Sequence, residues 1–165
     1  MQGSKILLVL FEIGDLCYAL EARSIGRIVS LQDMTHNQQG AHHPAVIGFL
    51  RSDSSSDRKY QTGTLVSVID LSLMLLKKPL SYQLGTRIML VHDQQGQPWG
   101  LMANGVIEMI EVSPRDWEPV SPESPSPAPK SSRSPYIQQT LLHHQRVIHG
   151  LSINRLLKNV NVCTY

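Results

Sequence analysis

The sequence predicts a mainly β fold built as small barrels or a sandwich, and three observations carry that reading. Apolar segments are short and rich in β-branched residues, turn residues separate them at close intervals, and helix-like stretches are few and brief. Lys5 to Ile13 is the first strand, Gly14-Asp15 a tight turn, and Leu16 to Leu20 the returning strand. Leu65 to Leu71 forms another strand. Thr86 to His92 runs into the turn Asp93-Gln94-Gln95-Gly96, with Trp99 to Met102 returning. Arg146 to Leu151 supplies a late strand. Ser72 to Lys77, closed by Pro79, and Ile153 to Lys158 read as short helices. Asp70 stands where an N-terminal cap belongs, just before the first of them.

The chain of 165 residues has 41% apolar and 17% charged residues, the composition of one ordinary globular domain spanning 1–165. Its longest apolar run, Ile6 to Phe11, is far short of the ~20 residues that span a bilayer and too short for a signal-peptide core, so no direct membrane insertion is expected. Two cysteines, Cys17 and Cys163, make no disulfide framework, which points to a reducing, cytoplasmic setting. A polar loop insert is expected over 52–62, SDSSSDRKYQT. Residues 119–135, PVSPESPSPAPKSSRSP, read as an extended linker insert, because proline removes backbone donors and serine offers nothing to bury.

Comparison of the chain with itself reveals two related halves. Shifted by 81 places, Tyr18, Ala19, Leu20 and Ala22 meet Trp99, Gly100, Leu101 and Ala103, and Ile25, Ile28, Val29 and Leu31 meet Val106, Met109, Ile110 and Val112. Shifted by 82, Leu65, Val66, Ile69, Leu71 and Leu75 meet Val147, Ile148, Leu151, Ile153 and Leu157. Two matches in the same order, one residue apart in offset, go beyond chance alignment of β-patterned segments. Halves this small are marginal alone, so they should share a core.

Chemistry-bearing motifs are absent: GxGxxG, GxxxxGK, CxxC, HExxH and GxSxG do not occur, and no cofactor is expected. His36, His42 and His43, and His143, His144 and His149, form two groups from which a zinc site could be drawn. Adjacent histidines on a strand face opposite ways, however, and polar surface histidines are the simpler reading. Residues 1–123 carry −3, whereas 124–165 carry +5 through Lys130, Arg133, Arg146, Arg155 and Lys158. That basic third would suit a small-barrel nucleic-acid binder. It offers only Tyr136 and Tyr165 for stacking, so a solvated face or an acidic protein partner explains it better, and no nucleic-acid partner is expected.

The ordered segments LVLFEIGDLCYAL, the strand Ile25 to Leu31, HHPAVIGFLR, GTLVSVIDL, RIMLVHDQQGQPWGLMANGVIEMIEV and PYIQQTLLHHQRVIHGLSINRLL together resemble the CheW-like adaptor domains of bacterial chemotaxis, from about Ile6 to Leu157. The resemblance implies two five-stranded SH3-like barrels sharing a core, and a non-enzymatic scaffold. It also implies coupling of a methyl-accepting chemoreceptor to a CheA-type histidine kinase, in arrays beneath the membrane. It places partner contacts at Ile25, Arg27, Arg51 and Gly63. Four departures stand out. Arg27 replaces the usual acid, the Arg-Gly pair is split between Arg51 and Gly63, Ser67 replaces proline, and Asn104 replaces aspartate.

Overall fold

In this computed structural model the described residues are 3–36, 43–51, 65–119 and 134–161. Twelve strands are seen among them. The first half holds β1 (Ile6–Ile13), β2 (Leu16–Glu21), β3 (Ile25–Ser30), β4 (Met34–His36), β5 (Val46–Arg51), β6 (Leu65–Asp70) and helix α1 (Leu71–Leu76). The second holds β7 (Arg87–His92), β8 (Pro98–Ala103), β9 (Gly105–Val112), β10 (Glu118–Pro119), β11 (Ile137–His143), β12 (Arg146–Leu151) and α2 (Ile153–Asn161). Two curled sheets result, in the orders β10-β11-β12-β2-β1-β9 and β3-β7-β8-β6-β5-β4. Five longer strands make up each one, as expected, and a short sixth strand, β10 or β4, is added at one end.

The two halves exchange their opening hairpins. β1 and β2 join β9 to β12, whereas β7 and β8 join β3 to β6. Each exchange is sealed by a parallel ladder, β12 with β2 and β6 with β8. Moving β6 forward by 82 places and β8 back by 81 turns one ladder into the other. Ser67 opposite Trp99 becomes His149 opposite Tyr18, and Val68 opposite Gly100 becomes Gly150 opposite Ala19. The outer ladders agree as well. Arg27 faces Leu90 just past a bulge at Gly26, and Glu108 faces Leu10 just past a bulge at Ile107. A second pair of matching bulges lies at Ile47 and Gln138. The repeat seen in the sequence is therefore a repeat of hydrogen-bond register.

Burial on both faces of the central strands explains why they read as continuous apolar runs. In β2, Cys17 and Ala19 face a small core with Leu8, Leu10, Ile148 and Trp117. Tyr18 and Leu20 face the larger core shared by the second sheet and both helices, with Phe11, Ile69, Leu101 and Leu156. Helix α1 begins one residue earlier than its pattern suggests because Asp70 accepts the amides of Ser72 at 2.8 Å and Leu73 at 3.2 Å. It stops at Lys77, whose φ of 59° breaks the helical path. Ser152, the counterpart of Asp70, accepts the Arg155 amide at 3.3 Å and starts α2 in the same way.

The expected 52–62 loop lies outside the described residues, as do 120–133 of the expected linker. Pro119, the first residue of that linker, belongs instead to β10, where it pairs with Gln139.

Candidate partner-binding surface

Ile25 opens β3 half-buried, packing against the larger core opposite Val91. Gly26, Arg27 and Ile28 follow it, all exposed. The bulge at Gly26 breaks the alternation of the strand and leaves Arg27 and Ile28 facing solvent in succession. β3 also ends its sheet, so one backbone edge has no strand beside it among the described residues. Arg51 is exposed at the end of β5, opposite Leu65. Three strands, β7, β8 and β6, stand between β3 and β5, so Ile25 and Arg27 do not adjoin Arg51 within the sheet. Gly63 lies outside the described residues.

The contacts implied by resemblance leave out the exposed apolar strand residues. Leu65 is 58% exposed beside Arg51; the equivalent pair in the other sheet is Leu142, 71% exposed, opposite Val147. Ile107 and Met109 are exposed on β9, where they flank Glu108. The 81-place shift that joins Ile28 to Met109 was the signal for this second open edge.

Asn104 is explained by its hydrogen bonds. Its Oδ1 accepts the Gly14 amide at 3.0 Å, while its Nδ2 donates to the Ser81 carbonyl at 3.2 Å. A carboxylate could accept the first bond but could not donate the second. Ser67 sits in β6 between β5 and β8, where its backbone serves a ladder on each side.

The described histidines do not gather into one site. Among the described residues there is no group of three or more His, Cys, Asp or Glu suited to a metal ion. His143 and His144 do not alternate across a strand. His144 enters the turn with φ 49°, and the two rings meet edge to face at 4.1 Å. His149 is buried against Tyr18, with ring centroids 5.6 Å apart, and burial lowers its pKa while raising that of Tyr18 to about 12. Burial likewise raises the Cys17 thiol, against a hydrogen bond and charge from Arg146. That is the setting of a packed side chain, not of a nucleophile.

A polar cleft of about 440 Å³ lies where β2 and β12 end side by side, lined by Glu21, Arg23, His92, Gln139, Ser152 and Asn154. Glu21 and Arg23 already pair with one another there. In the basic third, Arg146 lies 3.7 Å from Glu12 and Arg155 donates to the Pro135 carbonyl. Tyr136 is buried with its hydroxyl on Asn159, so it presents no free face for a base.

Comparison with known proteins agrees with this architecture. A family profile described as CheW-like domain matches residues 7–161. No curated protein matches. Among solved structures, the crystal structure of scaffolding protein TtCheW from Thermoanaerobacter tengcongensis superposes with a TM-score of 0.74 at 17% identity, over 94% of this chain and 89% of that one. Two register-matched SH3-like barrels with exchanged hairpins, and a profile match spanning both, place this chain in the CheW-like domain family.

Proposed function

We propose that this chain is a non-enzymatic cytoplasmic adaptor that couples a methyl-accepting chemoreceptor to a CheA-type histidine kinase in a chemotaxis or motility array. The carrying observation is the run Gly26-Arg27-Ile28, exposed in succession on an open sheet edge. By analogy with the family, the kinase would dock against this strand. Such a device works by geometry: exposed apolar residues on rigid strands hold two partners in a fixed relation, and many weak contacts add up in an array. No helix among the described residues is long and apolar enough to cross a membrane, so the receptor would provide the link to it. Arg27 reverses the family charge, so the matching kinase surface should carry an acid.

The test is a pull-down with the regulatory domain of a CheA-type kinase and, separately, a receptor tip. Retention of both at about 10–50 μM, with kinase retention reduced roughly tenfold or more by Arg27→Glu, supports the reading. Retention of neither removes its mechanism.

A further inference from the structure

The two halves differ in what lies beside the start of each helix. In the first half, the chain beyond α1 returns to the end of β6 as a strap, Leu80-Ser81. The Leu80 amide donates to Asp70 at 2.9 Å, the Ser81 carbonyl accepts from Asn104 at 3.2 Å, and the Leu80 side chain is buried in the larger core. Both anchors have counterparts in the repeat. Shifted by 82, Asp70 meets Ser152; shifted by 81, Arg23 meets Asn104. Ser152 and Arg23 hold no such strap among the described residues, and instead line the polar cleft of about 440 Å³. That volume falls within the roughly 300–1,000 Å³ of ligand sites. Its chemistry suits a peptide backbone. Gln138, Gln139 and Asn154 bring three carboxamides, which both donate and accept as a peptide bond does. Arg23 turns its Nε to Glu21, so the pair carries no net charge to draw in a phosphate, while the outer guanidinium nitrogens can still donate to a carbonyl. Leu151 and Ile153 supply an apolar wall. Trp117, 5% exposed, borders the same space, and its indole Nε1 has no hydrogen-bond partner among the described residues. A buried donor left in this way calls for an acceptor.

We infer that this cleft docks an extended peptide segment of a partner protein, seated as Leu80-Ser81 is seated in the other half. A carbonyl of the segment accepts from Arg23, as the Ser81 carbonyl does from Asn104. An apolar side chain of the segment rests on Leu151 and Ile153. Ser152, whose oxygen already accepts the Arg155 amide, keeps its hydroxyl proton to donate. The site uses none of Ile25, Arg27 or Arg51, and the inference rests on neither kinase nor receptor.

The strap itself supplies the probe: a peptide of sequence KPLSYQLG, residues 78–85, blocked at both ends and added to the isotope-labelled full chain. The two indole N–H resonances then report. That of Trp117 should shift and saturate at roughly 0.1–1 mM peptide, while that of Trp99, whose Nε1 donates to Asp93, should stay in place. Arg23→Ala should weaken binding roughly tenfold by removing the donor to the carbonyl. Leu80→Ala within the peptide should weaken it roughly tenfold or more through lost apolar contact. Asn154→Phe, at an exposed position on the cleft wall, should abolish the shift by filling the space. Circular dichroism matching that of the unchanged protein establishes that each variant is folded. An unmoved Trp117 signal overturns the inference, and a segment of this chain already seated in the cleft would give that same result. Equal shifts at both indoles, or binding undiminished by Arg23→Ala and Asn154→Phe, overturn it too. Kinase and receptor retention are measured apart from this, so either result leaves the adaptor reading to its own test.

Discussion

The Asp70 carboxylate accepts the Leu80 amide at 2.9 Å, reaching over the whole of α1 to the segment that leads away from it. Its other oxygen accepts the amides of Ser72 and Leu73 at the start of the helix. One buried side chain therefore satisfies three backbone donors, binding the end of β6, the first turn of α1 and the chain beyond. Ser152, at the equivalent place before α2, accepts a single amide. The repeat has kept the capping position and divided its work unequally.

Removing Asp70 should therefore cost more than an ordinary cap. Asp70→Ala strands three donors in a buried site, and we expect a loss of about 2–3 kcal/mol. Ser152→Ala should cost only about 1 kcal/mol. Urea unfolding at unchanged m-value checks both, and equal losses at the two positions would show that Leu80 adds nothing.

The Asp70 cap was readable from an acidic residue ahead of a short apolar run, but the Leu80 bond was not, because no local pattern announces a contact made ten residues later. The same division holds elsewhere. β2 and β8 stood out because burial on both faces left them no polar positions to blur the signal. β11 did not. Its burial is broken, and its turn to β12 places His144 and Gln145 at positive φ, where asparagine or glycine would have marked a hairpin. Of the proposed partner surface, Arg27 was legible by resemblance. Leu142 and Val147 were not, since an exposed apolar pair and a buried one have the same letters.

Gly150 is fixed by Trp117. A Cβ at Gly150 would overlap the indole ring, which is itself packed in the smaller core. Gly150→Ala should lower stability by about 1–3 kcal/mol through overpacking and alter tryptophan fluorescence. Trp117→Phe removes the part of the ring that the methyl group would meet. The double variant should therefore lose less than the two single losses added together. Strict additivity in a double-mutant cycle would sink this account.

Stability should also depend on pH through His149. Burial against Tyr18 lowers its pKa from 6.5 in the folded chain, and its Nδ1 has no hydrogen-bond partner among the described residues. The unfolded chain regains the ordinary value, so between the two values it binds more protons than the folded chain. Stability is then full above about 6.5 and falls as pH drops through that window, by at most about 1.4 kcal/mol per pH unit for a single group. His43 is lowered by burial and by the charge of Lys77, and contributes in the same direction. We expect a lower urea midpoint at about pH 5.5 than at about pH 7.5. His149→Gln should flatten the profile, and His43→Gln should remove part of what remains. A His149→Gln variant whose midpoint falls with pH as steeply as before would show that the imidazole is already solvated in the folded chain.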